Sequence, residues 1–185
     1  MKSEYKIIDN VLSPEQFTDL TNFISGNAFP WYFNDTVAFE SDEVAEKNQS
    51  GVITESQQTY NFYYTHMVFD SEVSQELIDN PNPELWQKIL PILYVTDMRE
   101  VLRCKINNYL KTPTIIHHQQ HTDYDYKHKG ALFYLNTNDG LTVLEDGTEI
   151  ESVANRLLLF DASIPHHSTT TSNQDRRLNI NFNYF

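Results

Sequence analysis

Leu132-Phe133-Tyr134-Leu135-Asn136-Thr137-Asn138-Asp139-Gly140-Leu141-Thr142-Val143-Leu144-Glu145-Asp146-Gly147 is the stretch on which the fold class turns. Two short runs of β-branched, aromatic and aliphatic residues are each followed by turn chemistry, Asn138-Asp139-Gly140 and Asp146-Gly147. Both turns have the composition of hairpin connections, so the reading is strand, turn, strand, turn. Working outward, similar runs cover 100–109, 115–121, 129–136, 141–144, 148–152, 156–160 and 176–184. From Glu100 onward the chain therefore reads almost wholly as strands and turns.

The first hundred residues read differently. Lys6-Ile7-Ile8-Asp9 is a short strand, and Ser13-Pro14-Glu15-Gln16 is a helix start, with a Ser cap, Pro at the first helical position and Gln three residues after the Ser. Phe17, Leu20, Phe23 and Ile24 share one helical face, and Gly26 ends the helix. Residues 34–58 are polar and weakly patterned, a long loop with the length of a lid. The stretch 60–68 has strand composition. A second helix spans Pro83 to Leu93 with Leu85, Trp86, Ile89 and Leu90 buried, and Pro91 is expected to kink or end it. Two helices ahead of seven or more short strands predict an α+β, mainly β protein, its helices packed on one face of a sandwich of the jelly-roll kind. No linker or repeat divides the chain, so 1–185 is expected to be one domain, with 1–99 as lead-in and 100–185 as the core.

Composition narrows the function classes. The net charge is −13, which disfavours a phosphate-backbone partner. The single cysteine, Cys104, excludes an intrachain disulfide or a cysteine-based zinc cluster, and its apolar neighbours make it an inert strand residue. The amino terminus is polar and no apolar run approaches the roughly 20 residues that span a bilayer, so a soluble, cytoplasmic protein without membrane contact is expected. Oligomeric state is not legible.

The histidines are clustered. His117-His118-Gln119-Gln120-His121-Thr122-Asp123 holds three of them, and Pro165-His166-His167 two more. Residues i and i+2 of a strand face one side, so His121 and Asp123 can aim two donors at one point, and a His from a distant strand can complete a face of three. Two neutral imidazoles and one carboxylate leave a divalent metal with open positions, the facial arrangement of non-haem iron(II) oxygenases. His-x-Asp alone is a weak signal. The ordered set is stronger: His-x-Asp, a His some forty residues on, then an Arg about ten residues beyond. His117, His118 and His128 have no place in the triad and read as exposed.

With those residues in view, the segment from about Arg103 to Phe185 resembles the iron(II)/2-oxoglutarate oxygenases of the prolyl 4-hydroxylase type. The resemblance is carried by His121-Thr122-Asp123, Leu132 to Asn136, Asp139-Gly140-Leu141-Thr142, Asn155 to Asp161, Ile164-Pro165-His166, and Arg177 ahead of Asn179-Ile180-Asn181-Phe182. It implies a double-stranded β-helix core, with His121, Asp123 and His166 as both the metal ligands and the catalytic centre. It implies that Arg177 pairs with the far carboxylate of 2-oxoglutarate and that Tyr134, and more weakly Tyr109, line the same pocket. The implied cofactors are Fe(II), 2-oxoglutarate as co-substrate, and O2, with ascorbate as an auxiliary reductant. The implied reaction is hydroxylation of a peptidyl residue or an amino acid, with succinate and CO2 released. A departure is Asp139-Gly140-Leu141-Thr142, where Gly-Gly-x-Thr is often seen.

Two adjacent pairs leave alternatives. The ligand follows Ser163-Ile164-Pro165 directly in the family pattern, which favours His166 over His167. Arg177 shares a strand face with Asn179 and Asn181, whereas Arg176 shares one with Leu178, Ile180 and Phe182, so the polar face favours Arg177. Two other function classes remain open: a non-catalytic sensor that binds metal and 2-oxoglutarate, and a cupin-like metal protein using several of His117, His118, His121 and His166.

Overall fold

The alternation of the carboxy-terminal half is realised as two sheets. The computed structural model describes residues 3–37, 59–72, 82–96 and 98–185. Its strands are β1 (Tyr5–Asp9), β2 (Tyr32–Asn34), β3 (Tyr63–Asp70), β4 (Val101–Leu110), β5 (Lys129–Tyr134), β6 (Leu141–Leu144), β7 (Glu149–Glu151), β8 (Arg156–Asp161), β9 (His166–Ser168) and β10 (Arg176–Tyr184). Helix α1 covers Pro14–Ser25 and helix α2 covers Pro83–Tyr94. Seven strands form an antiparallel sheet in the order β1-β8-β5-β10-β4-β3-β2, and β7-β6-β9 form a second, three-stranded one. No helix among the described residues is long and apolar enough to cross a membrane.

The helix starts follow from their sequences. Ser13 Oγ accepts from the Gln16 amide at 3.3 Å while Gln16 Oε1 accepts from the Ser13 amide at 3.1 Å, closing a capping box. Asn82 caps α2 by accepting from the amides of Glu84 and Leu85 at 3.1 Å each. Pro91 does not end α2, which continues to Tyr94. A mid-helix proline costs about 3 kcal/mol. Ile89 and Ile92, on either side of it, are completely buried, and each such side chain contributes about 1.5–3 kcal/mol, so packing outweighs the lost bond.

The large sheet has two unlike faces. On one, Leu178, Ile180 and Phe182 of β10, Cys104 and Ile106 of β4, Ala131 and Phe133 of β5 and Leu157 of β8 pack against Leu20 and Ile24 of α1 and Leu85, Ile89 and Ile92 of α2. On the other, Leu132, Tyr134, Leu158 and Phe160 meet Leu144 and Ile150 of the small sheet. The remainder of that second face is polar. Arg177, Asn179, Asn181 and Asn183 of β10 lie opposite Tyr109, Asn107, Lys105 and Arg103 of β4.

Several local expectations are corrected. Residues 115–121 form no strand and touch the rest through isolated bridges, His117 with Thr169 and His121 with His166. Side chains there compete for backbone groups: Thr170 Oγ1 takes the Ile116 amide at 2.9 Å, and His121 Nδ1 bonds Gln119 O at 3.3 Å. The strand expected at 60–68 begins at Tyr63 and runs to Asp70. Asp146-Gly147 does close the β6–β7 hairpin, with Gly147 at φ 81°. Asn138-Asp139-Gly140 instead carries the chain from β5 in the large sheet to β6 in the small one. His118 and His128, expected at the surface, are buried; the His128 ring packs edge-on against Tyr124 at 5.1 Å. The stretch 38–58, most of the loop read as a lid, lies outside the described residues.

Candidate metal centre and anion pocket

His121 and His166 sit directly across an antiparallel bridge, each amide donating to the other's carbonyl at 2.9 Å. That pairing brings the two rings to 4.9 Å between centroids. Each Nδ1 bonds the carbonyl two residues back, Gln119 at 3.3 Å and Ile164 at 3.1 Å. Both rings are therefore held with Nδ1–H outward and Nε2 left for a metal. Asp123 completes the group, with Oδ2 at 3.9 Å from His166 Nε2. One donor atom from each of His121, Asp123 and His166 lies within 4.8 Å of the others.

Protonation states suit the same role. Burial, reinforced by His166, pushes His121 down to about 4, so its ring is neutral near pH 7. Burial alone would raise the Asp123 carboxyl, but His166, Arg103, His121 and a bond from Asn183 outweigh it and hold the group ionised. Arg103 Nη2 donates to Asp123 Oδ1 at 2.7 Å and Asn183 Nδ2 donates to Oδ2 at 2.8 Å. Asn183 and Arg103 are register partners on β10 and β4, so one rung of the large sheet orients the carboxylate. The donor set fits a divalent metal of the iron(II) type.

Arg177 lies at the other end of that polar row and is completely buried. Its Nε donates to Ser152 Oγ and its Nη2 to Thr142 Oγ1, both at 2.9 Å, and Tyr134 also donates to Thr142 Oγ1 at 2.9 Å. The rings of Tyr109 and Tyr134 lie 5.3 and 5.8 Å from its guanidinium carbon. Burial lowers its pKa, yet an arginine stays charged in proteins. Among the described residues no carboxylate pairs with it. A buried guanidinium framed by hydroxyls has the geometry and charge to accept a carboxylate. Gly140 is required for this packing, because a Cβ there would lie 2.5 Å from Arg177 Cδ and 2.7 Å from the Thr170 carbonyl oxygen.

His121, Asp123 and His166 are thus brought together, and Arg177, Tyr134 and Tyr109 are brought together on the same sheet face. His167 is turned away, its Nε2 at 3.1 Å from His117 Nδ1. Arg176 lies at the strand start and is only partly buried. Sequence reasoning missed Arg103, Asn183, Ser152 and Thr142 as supports. The available signal was the alternation of polar residues at 103, 105 and 107 and at 177, 179, 181 and 183. Asp139, the departure from Gly-Gly-x-Thr, has a structural task. Burial would raise its carboxyl, but bonds from Ser172, Thr171 and Asn173 bring it down to about 2, tying the turn before β6 to the loop before β10.

No family model matches the chain, and no curated protein matches its sequence. Solved structures do match. A prolyl-4-hydroxylase from Pseudomonas putida aligns over 99% of this chain and 93% of its own, at 17% identity and a TM-score of 0.53. The viral collagen prolyl hydroxylase of Paramecium bursaria Chlorella virus-1, in a 2-oxoglutarate complex, aligns over 97% and 94%, at 14% identity and a TM-score of 0.51. A prolyl hydroxylase from Trichoplax adhaerens, in complex with a hypoxia inducible factor peptide fragment, aligns over 100% and 84%, at 16% identity and a TM-score of 0.53. The chain has the fold of these prolyl hydroxylases.

Proposed function

We propose that the protein is an iron(II)- and 2-oxoglutarate-dependent dioxygenase, a single jelly-roll domain over residues 1–185. The observation that carries this reading is one polar sheet face with a three-donor group at one end and, at the other, a buried Arg177 that pairs with no carboxylate among the described residues. His121, Asp123 and His166 would hold the iron. Arg177 would take the far carboxylate of 2-oxoglutarate as a bidentate pair, with Tyr134 and Tyr109 as walls of its slot. Bound together, iron and 2-oxoglutarate supply O2 activation, which couples loss of CO2 and formation of succinate to hydroxylation of a substrate.

The chain's own part is binding and orientation. With Nδ1 held on a backbone carbonyl, the rings of His121 and His166 would present Nε2 to the metal. Arg103 and Asn183 stop the Asp123 carboxylate from rotating, which fixes the direction of its free lone pairs. Thr142 Oγ1 receives both Tyr134 and Arg177, so the two cannot move independently. The substrate class is a peptidyl residue or a free amino acid, the former in keeping with the peptide in the Trichoplax complex.

The test is succinate formation from 2-oxoglutarate with iron(II), ascorbate and air, comparing the parent with Asp123→Ala and Arg177→Leu. The parent should turn over 2-oxoglutarate slowly without substrate, and both variants should lose this. A parent that binds 2-oxoglutarate without ever forming succinate would make the protein a sensor. One that neither binds nor consumes it would end the oxygenase reading.

A further inference from the structure

The two tyrosines beside Arg177 are held in different ways. Tyr134 is fixed by its own hydroxyl, which donates to Thr142 Oγ1 at 2.9 Å. Tyr109 is instead the middle ring of a stack of three. Tyr63 of β3 lies on one side of it, with centroids 5.3 Å apart and planes 12° apart. The ring of His118 lies stacked on it too, at 5.3 Å and 29°. Near-parallel stacking at this separation is a favoured arrangement of aromatic rings, so each outer ring biases the plane of the middle one.

Both outer rings are tied down by polar bonds. Lys105 Nζ donates to Tyr63 Oη at 3.1 Å. His118 Nδ1 lies 2.9 Å from Ser168 Oγ, and the His118 amide donates to the Ser168 carbonyl at 3.0 Å. The Nε2 of His118 is buried without a partner, so Ser168 is the anchor of that ring. Ser168 belongs to β9 of the small sheet, whereas Tyr63 and Tyr109 stand on β3 and β4 of the large one. The stack therefore ties one sheet to the other, and its middle ring lies 5.3 Å from the Arg177 guanidinium carbon. The position suits a neutral histidine. Burial, with Arg177 adding to it, pushes His118 down to about 3, so the ring brings no second positive charge beside Arg177 near pH 7.

We infer that His118 is a specificity-determining residue for the co-substrate, holding Tyr109 in the plane that fits the Arg177 slot to a five-carbon 2-oxo diacid. This rests on the co-substrate reading of Arg177. His118 is a positioning residue, acting through Tyr109 rather than on the reacting atoms. With an anchored ring on either side, Tyr109 resists swinging aside to admit a longer chain. Removing the imidazole leaves Tyr109 backed on one side only and opens room for it to move. A slot that yields in this way loses its preference for one chain length, and a methylene more or less in a close-fitting pocket is worth roughly 10–200-fold.

Calorimetric titration of the protein loaded with zinc(II), which substitutes for iron without turnover, tests this by comparing 2-oxoglutarate with 2-oxoadipate, one methylene longer. The parent should bind 2-oxoglutarate at least about tenfold more tightly. In His118→Ala that preference should shrink to about threefold or less, while zinc(II) affinity measured without either acid stays within about twofold. His118→Phe keeps a ring in the stack but gives up the Ser168 bond. Its preference should lie between the two and at least about twofold below the parent's, and it carries the test alone if the alanine variant does not fold. A folded variant that keeps the parent's preference overturns the inference. So does a parent that binds both acids equally, because there is then no length selection for the stack to set. Variants that lose zinc(II) together with both acids would make His118 a support of the segment bearing His121 and Asp123, and also overturn it. If the parent binds neither acid, the proposed function fails first and the inference falls with it.

Discussion

Replacing Arg177 with Met separates binding from folding, because the arginine is an electrostatic liability when its pocket is empty. The side chain is completely buried and donates two 2.9 Å bonds, to Ser152 and Thr142. Each bond from a charged donor contributes about 1.5–3 kcal/mol, about 3–6 in total. Against this stands the burial of a cation with no counter-ion among the described residues, an effective penalty of several kcal/mol. The terms nearly cancel. Arg177→Met keeps most of the aliphatic stem, so the ligand-free protein should change in stability by no more than about 2 kcal/mol in either direction. The ligand-dependent term behaves differently. At about a hundred times its Kd, 2-oxoglutarate stabilises the parent by about 2.7 kcal/mol. At about 2–4 °C per kcal/mol for a chain of this size, that is a rise of about 5–11 °C in Tm. Thermal melts of the zinc-loaded protein over a 2-oxoglutarate series should show this rise in the parent and none in Arg177→Met. A variant that keeps the rise refutes the pocket assignment. A ligand-free variant destabilised by more than about 4 kcal/mol shows instead that the guanidinium is structural.

Asp123→Asn leaves the Arg103 guanidinium, 17% exposed, without its carboxylate. Breaking a buried pair in this way costs about 3–5 kcal/mol, and urea melts should show that loss together with disappearance of zinc-dependent stabilisation; a variant still stabilised by zinc would contradict the ligand set. Gly140→Ala forces a Cβ to within 2.5 Å of Arg177 Cδ and 2.7 Å of a backbone oxygen. About 1–3 kcal/mol of stability and most of the 2-oxoglutarate affinity should go, and unchanged binding would show that the Arg177 stem is free to move. Stability should fall in acid because His118 and His121 have pKa values brought down by burial from 6.5 to about 3 and about 4. Their depressed values give a contribution that is complete above 6.5 and is lost as pH falls through the folded values, the unfolded chain alone taking up protons in between. Each ring then costs about 1.4 kcal/mol per pH unit. Urea melts of the metal-free protein from pH 7 to pH 5 should therefore steepen below about 6.5, less so in His118→Phe, and a flat profile would mean both rings protonate in the native state.

What local spacing can express was legible. The cap of α1 and the Asp146-Gly147 hairpin both follow from residues within four positions of one another. The choice of Arg177 over Arg176 also came from local parity, and the structure buries the former and leaves the latter half-exposed. What spacing cannot express is which strands pair. Asn138-Asp139-Gly140 has hairpin composition, yet it crosses between sheets because β5 finds β8 and β10 while β6 finds β7 and β9. The same limit hid Arg103 and Asn183, which converge on Asp123 only because β4 and β10 pair in one register. His118 and His128 read as exposed because their neighbours are polar. One stacks on Tyr109, and the other packs against Tyr124 and Tyr126, contacts made only after folding.

That register ties the fold to the site. Leu178, Ile180 and Phe182 bury against the helices, so the alternate residues Arg177, Asn179, Asn181 and Asn183 must line the opposite face. A slip of one residue in β10 would bury four polar side chains under α1 and α2 and present three apolar ones to the metal group. The hydrophobic core thereby specifies the site, although none of its side chains is a ligand. The pairing with β4 shifts between Asn183 and Tyr184, which matches Tyr184 to Val101 and brings Val101 against the helix-side core. The polar row therefore stops at Arg103 and Asn183, the two residues that hold Asp123. Moving that bulge by one residue would leave the helix packing largely intact while removing one of the two bonds that orient the carboxylate. The His121-Asp123-His166 end of the polar face should accordingly be more sensitive than the core to changes at residues 101 and 184.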